Sequence, residues 1–560
     1  MVEVLDLLTL GGTATMKLTR GQFINGGLIA SAAGALSLGA LGARWQARRP
    51  PVYPGRMVGA SRDLGHLLRQ AELPHASNEL YTRVVVVGGG VAGLGAARRL
   101  FKAGVNDILL LDLEEGLGGN SRGGANEVSA YPLGAHYVPI LTQEARAVRR
   151  LFEELGVIVG ADARGQPIYD EYMLGFEPKE RLLRFGRWQE GMVPAIGATP
   201  EDEAQYRRFF ALMNELKERR GSDGRRLFAI PIDESSVDPV WRELDLMTMA
   251  SWMDSQGFTS QLLRWYVNYA CRDDYGTTYN ETSAWAGVHY FASRNGRSAN
   301  AESDDVVTWP QGNGWLVERM AAPLGSCIRT RWLTTQVVTS DTEVNLYVWD
   351  ANERVMRLIR AEAAVLATPR FVTSRLLPET AKDAGAFSYA PWVVANITVD
   401  RMPEGNGAAL SWDNVAFDGR TLGYVVATNQ QLDAKPLSTV LTAYWPLSHA
   451  TPADARQEAL GRNLDEWQHL FADDLISIHP ELSGHIRSID VCIWGHAMIR
   501  PVPGFIWGDA RKRAQQPLGR VAFAHSDLSG ISIFEEAYTR GVHAAEHILT
   551  LLEVDHESEL

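Results

Sequence analysis

Cysteine is nearly missing: three residues, Cys271, Cys327 and Cys492, lie far apart in 560 with no CxxC spacing. That excludes a disulfide framework and offers no cluster for zinc, and the absence of CxxCH excludes attachment of a c-type haem. Positive charge is in deficit, 54 Lys+Arg against 67 Asp+Glu, for a net charge of −13. This sign repels a phosphate backbone, so nucleic acid is not an expected partner, whereas a cationic small molecule is favoured. No apolar run reaches the about 20 residues a spanning helix needs; the nearest, Gly26 to Ala43, is mostly Gly and Ala. Repeats and low-complexity segments are also lacking. The 46% hydrophobic and 22% charged residues are those of an ordinary folded chain. Length alone predicts about three or four compact units unless segments interleave.

The apolar run follows Lys17 and Arg20 in MKLTRGQFINGGLIASAAGALSLGALGA, residues 16–43, the charged and apolar regions of an export signal. TRGQF is similar to the twin-arginine motif, with Gly21 in place of the second arginine. The expectation is periplasmic export. The alternative is a cytoplasmic chain with an uncleaved N-terminal helix, whose membrane contact would run only through this segment. Residues 44–80, with Arg48-Arg49-Pro50-Pro51 and Pro54-Gly55, read as an irregular connector.

VVVVGGGVAGLGAARRL, residues 84–100, carries the strongest motif. Four valines suit a strand buried on both faces, and Gly88, Gly90 and Gly93 follow at once as GxGxxG. Leu94, Ala97 and Leu100 recur at helical spacing, so the loop opens a helix whose N-terminus can face a pyrophosphate. Ile108–Leu111 is a second buried strand ending in Asp112, a carboxylate placed to accept ribose hydroxyls and to repel a 2′-phosphate.

After Asp112 comes LEEGLGGNSRGG, with Gly118-Gly119 six and seven residues past the acid. Here the sequence resembles the flavin-containing amine oxidase superfamily, in which a Gly-Gly-Arg/His element at that interval contacts the flavin nucleotide. The resemblance implies an α/β fold: a Rossmann-type FAD-binding domain interleaved with an α+β substrate domain. It implies noncovalent FAD, since Cys492 is not placed like the cysteine that some relatives bond to flavin, and no metal. Arg122 is then the local cation for the phosphates, displaced from the family's usual arginine. LGAHYVPILTQ, residues 133–143, resembles the segment beneath the flavin ring, with Tyr137 at an aromatic position near the substrate. Val337 in LTTQVV matches the residue whose backbone holds the adenine. In FAHSDLSGISIFEEAYTRGVHAAEHIL, Asp527 matches the ribityl partner, and Gly530, Ile531 and Ser532 match the backbone donors at the flavin N1/O2 edge.

The implied layout is a nucleotide domain from 81–165, 301–385 and 491–560, with substrate segments 166–300 and 386–490. The first substrate segment reads mostly helical and the second β-like. TRGQFINGG, Tyr53-Pro54, the LLLD…GG stretch and FAHSD resemble a spermidine dehydrogenase-like bacterial branch. Members of the superfamily oxidise an amine by hydride transfer to the flavin, and the acceptor that reoxidises it stays open. Many carry a lysine near the ring on the strand that here reads APWVVANITVD; residues 390–400 contain none, and Trp392 or Asn396 stands in that neighbourhood. Catalytic candidates come from three polar clusters: His136 and Tyr137; Asp274, beside Arg272 and Asp273 on an expected loop; and His496, near Trp494 and Arg500. Two other readings share the framework: a flavin desaturase or isomerase of an apolar isoprenoid, and a protein that keeps FAD for assembly.

Overall fold

The four valines alternate between two cores, as a strand covered on both faces requires. Val84 and Val86 join a cluster with Leu94, Ala97 and the terminal-helix residues Val542 and Ile548, whereas Val85 and Val87 join Val344, Leu346 and Ile359. This strand, Asn78–Val87, lies at the centre of a seven-stranded sheet in the computed structural model, which describes residues 51–69, 76, 78–431 and 436–560. Ile108–Asp112 and Val355–Leu366 flank it in parallel. Ile328–Thr330 forms one edge, Val344–Asp350 and Trp332–Thr339 form an antiparallel wing, and Val521–Phe523 pairs with Val355–Leu366. Helices Val91–Lys102 and Phe534–Leu551 pack together on one face.

The second sheet has eight strands in the order Met57–Val58, Ile486–Ile499, Tyr389–Val399, Thr439–Pro446, Tyr424–Val426, Asp413–Ala416, Glu180–Arg184 and Arg187–Glu190. Tyr389–Val399 is buried along its whole length, and its two faces go to different places. Val393, Ala395 and Ile397 pack with Trp467 and Phe471 of helix Leu464–Ile478. Trp392 and Val394 face a second cluster with Tyr131, Tyr444 and Ala497. Helices Pro200–Glu218, Met249–Ser255, Gln261–Tyr275 and Ala284–Ala292 form a separate core.

Residues 53–560 form one compact unit, so three chain segments supply one sheet and the stretches between them the other. Two expected boundaries move. Strand Ile486–Ile499 stays with the eight-stranded sheet through its pairing to Tyr389–Val399, which carries the substrate segment past residue 490. The expected connector 44–80 ends in built structure: Met57–Val58 pairs with Val491–Cys492, helix Arg62–His66 follows, and the central strand already begins at Asn78. The export-like segment, residues 16–43, lies outside the described residues. Among the described residues, no helix is long and apolar enough to cross a membrane.

Candidate active site

The glycine loop has little room for side chains except on the side where a ligand would lie. A Cβ on Gly93 would sit 1.7 Å from the Gly88 carbonyl oxygen, and Gly88 has φ +102°, a conformation that only glycine adopts at low cost. A Cβ on Gly90 would meet nothing within 4 Å. Gly90 caps the twelve-residue helix Val91–Lys102, whose N-terminal amides and dipole favour an anion there. The Asp112 carboxylate accepts the Gly89 N–H at 2.6 Å and the Glu114 N–H at 2.7 Å; burial pushes its pKa up to about 6. Each oxygen keeps a lone pair for a further donor.

From this cradle a cavity of about 690 Å³ runs between the two sheets. Its nucleotide side is lined by Gly88, Gly90, Asp112, Gly118 and Gly119, and its far side by His136, Tyr137, Asp274 and Arg294. Three buried polar atoms on its wall have no protein partner: Asn313 Oδ1, Thr334 Oγ1 and Trp392 Nε1. Buried polar groups in native proteins are nearly always paired, so these are places for a ligand's own polar atoms. An anion-binding loop, a strand-end carboxylate and unpaired wall atoms in one elongated cavity fit a flavin dinucleotide.

At the far end, His136, Tyr137 and Asp274 come together. The His136 ring stacks on Tyr444 with centroids 4.6 Å apart and lies 5.1 Å from Tyr137 and 5.5 Å from Trp412. Burial lowers its pKa to about 4, so it is neutral at physiological pH. Arg294 Nη2 donates to Asp274 Oδ1 and Oδ2 at 2.7 and 2.9 Å and to the Tyr137 hydroxyl at 3.4 Å. Burial opposes the Arg294 charge, but Asp274 and then Tyr137 and Tyr290 outweigh it, so the guanidinium stays protonated. Asp273 also lines the cavity; burial and then the like charge of Asp274 push its pKa up to about 7. Glu535, at the start of the terminal helix, is a third carboxyl on the wall, pushed up to about 7 by burial.

Several expected positions move. Arg272, Asp273 and Asp274 are on no loop: they occupy the last turn of helix Gln261–Tyr275, which continues until Gly276 ends it with a left-handed cap. His496 lines the same cavity but stacks on Phe371 at 4.0 Å rather than on the other catalytic candidates, its pKa lowered to about 3 by burial and then by Arg456, Arg375, Arg69 and His66. Val337 is packed with Val344 and Leu346 in the sheet core; the cavity-facing residues of its strand are Trp332, Leu333 and Thr334, ahead of a register shift between Thr334 and Gln336. Asp527 is fully buried, its Oδ2 taken by the Tyr389 hydroxyl at 2.6 Å and the Arg370 N–H at 2.7 Å, and His525 and Ser526 line the cavity instead. Gly530 turns the chain behind the wall, a Cβ there meeting Ile506, while Ile531 and Ser532 face the cavity. Arg122 points away, donating to the Gly59 carbonyl at 3.2 Å and pairing with Glu114 at 3.5 Å.

Sequence reasoning missed Arg294, Tyr444 and Glu535, whereas Trp392 and Trp494, which it did name, both line the cavity. Only strand register brings Trp392 opposite Trp494 and Tyr444 opposite Val394. Of the two residues set in the lysine neighbourhood, Trp392 lines the cavity, whereas Asn396 Oδ1 accepts from the Thr442 hydroxyl at 2.8 Å, away from it.

The profile of the flavin containing amine oxidoreductase family matches residues 91–549. The chain belongs to this family. It is therefore an oxidoreductase with a flavin cofactor. Comparison with curated protein sequences gives no match. Among solved structures, wild-type putrescine oxidase bound to putrescine is 16% identical with a TM-score of 0.62, covering 84% of this chain and 100% of that one. Cyclohexylamine oxidase from Brevibacterium oxydans is 15% identical, TM-score 0.60, over 84% of this chain and 99% of that one. A fatty acid isomerase from P. acnes is 15% identical, TM-score 0.57, over 84% and 98%. At these identities the likeness is one of fold, the two-domain α/β architecture of the amine oxidases.

Proposed function

We propose that the chain is an FAD-dependent oxidoreductase that oxidises an amine, with a diamine or polyamine such as spermidine preferred. The observation that carries this reading is one cavity that joins a dinucleotide cradle to a wall of aromatic faces and carboxyls. FAD, which the Gly88–Gly93 loop and Asp112 would hold, would supply the hydride acceptor for the substrate carbon. The remaining work falls to side chains. An amine assists hydride loss only when neutral, and Asp273 and Glu535, both pushed up to about 7, are matched to take its proton near neutral pH. Arg294 holds Asp274 and the Tyr137 hydroxyl in place, and Trp392, Tyr444 and His136 exclude water and offer faces to a cation.

Beyond Asp273 stand two more carboxyls, Asp413 and Glu180, partners in the parallel ladder. Burial raises the pKa of each, followed for Asp413 by Glu180 and Asp273 and for Glu180 by Asp304. Such crowding of carboxyls, whose ionisation a nearby cation would favour, suits a ligand with a second ammonium. These carboxyls weigh against an apolar isoprenoid substrate. Noncovalent attachment is supported by the cysteines, none of which lines the cavity. The N-terminal pattern supports periplasmic export, and the net charge supports a small-molecule rather than a nucleic-acid partner.

The test is anaerobic mixing with putrescine, spermidine, monoamines and amino acids, followed at the flavin band near about 450 nm. Bleaching at lower concentrations of diamine or polyamine than of monoamine is expected. A flavin that no amine reduces would sink the reading and leave the desaturase or isomerase and the assembly role; one that no substrate of any kind reduces would favour the assembly role.

A further inference from the structure

The segment at residues 57–69 is laid across the nucleotide side of the cavity and fastened there. The Ser61 N–H and hydroxyl both donate to the Glu114 carboxylate at 2.7 Å, Arg122 donates to the Gly59 carbonyl, and Met57–Val58 pairs with Val491–Cys492. Leu68 packs against the core that holds Trp332, Leu376 and Tyr389. Ser61, Arg62, His66 and Arg69 thereby become part of the cavity wall, with Arg375 from the helix Arg370–Leu376 that follows Pro369. Among the described residues, none of these three arginines has a carboxylate within ion-pair distance. Arg62 donates to the Leu460 carbonyl at 3.4 Å and Arg375 to the Phe371 carbonyl at 2.8 Å, which satisfies hydrogen bonds and leaves the charge unneutralised. The acidic groups nearby are Asp63, in the strap's own helix, Asp112, which accepts the Gly89 and Glu114 amides, and Glu114, already engaged by Ser61 and Arg122.

This arrangement answers a gap on the opposite wall. After Gly118-Gly119 the chain has Asn120, whose amide donates to the Ala497 carbonyl, and Arg122 turns to Gly59 and Glu114. The glycine loop therefore presents no cationic side chain of its own to two phosphates. Resting on the reading of the cofactor as FAD, we propose that the 57–69 strap is a clamp on the dinucleotide, Arg62 and Arg69 with Arg375 supplying the charge that the glycine loop lacks. Arg122 then acts indirectly, holding the strap through Gly59. The ligand chemistry is a diphosphate bridge, which riboflavin lacks, and exposed arginines make the attraction sensitive to salt.

The experiment titrates the full-length apoprotein with FAD and with riboflavin by fluorescence, in wild type and in Arg62→Gln/Arg69→Gln. The double variant is expected to bind FAD about tenfold more weakly, with riboflavin unchanged. Wild-type affinity for FAD, but not for riboflavin, is expected to fall with added salt, and to fall less in the variant. Equal weakening for both ligands, or an unchanged FAD affinity, overturns the clamp. Should the double variant fail to fold, the wild-type salt series decides, and an FAD affinity indifferent to salt overturns it. A wild type that binds no FAD at any salt overturns the cofactor reading and the clamp with it.

Discussion

Asp273 and Asp274 are neighbours in sequence and opposites in chemistry. Asp274 is bound through both oxygens by Arg294, whereas Asp273 has no such partner and is left near pH 7 by burial and its neighbour's charge. The folded chain holds the Asp273 proton more tightly than an unfolded chain would. Its contribution to stability is therefore full below about pH 4 and lost as pH rises to about 7. For a cationic ligand the sign reverses, because only the carboxylate attracts an ammonium. KM for a diamine is therefore expected to fall as pH rises through about 7, and Asp273→Asn to flatten that dependence while raising KM at high pH. A pH series of steady-state kinetics on both proteins checks this. Asp273 and Asp274 were both legible as candidates in CRDD, but the restraint that sets them apart was not, since Arg294 lies twenty residues on and meets Asp274 only after helix Ala284–Ala292 has turned the chain back.

Among the elements, the contact between helices Val91–Lys102 and Phe534–Leu551 sets the cavity's shape. A Cβ on Gly541 would lie 2.2 Å from the Ala92 carbonyl oxygen, so the axes come close because that position is bare. The terminal helix carries small residues at Ala537, Gly541, Ala544 and Ala545, which helical spacing puts on one face. Gly541→Ala forces the helices apart and is expected to cost about 1–3 kcal/mol, read from the denaturant midpoint, with weaker flavin retention because Phe534 and Glu535 line the cavity. Gly325→Ala is the control: a Cβ there meets nothing within 4 Å, and stability is expected to change by less than about 0.5 kcal/mol.

At the scale of the molecule, the cavity wall draws on both sheets, on the helical segment and on the strap, so a ligand there ties parts of the chain hundreds of residues apart. Removing the flavin is expected to lower the midpoint of thermal unfolding. Returning FAD at about a hundred times its Kd restores about 2.7 kcal/mol, and NAD at the same concentration restores nothing; differential scanning calorimetry of the three samples decides it. The electrostatics also divide at this scale. Asp273, Asp274 and Glu535 outnumber Arg294 at the substrate side of one cavity, and Arg62, Arg69 and Arg375 outnumber Asp112 and Glu114 at its nucleotide side. A net charge of −13 gives no hint of that separation.

By itself the sequence determined what rests on short-range rules: the buried strand, the glycine loop and the helix it opens, Asp112 at the next strand end, and the small-residue terminal helix. Each follows from spacing along one element, where steric and hydrogen-bonding demands act between residues a few positions apart. Tertiary structure alone decided which side chains share the cavity. Trp392, Tyr444 and Trp494 meet through strand register, Asp527 was drawn away by Tyr389 and Arg370, and a stretch that reads as a connector became a wall. Contacts between distant segments depend on how the two sheets pack, and composition and local periodicity hold no record of that.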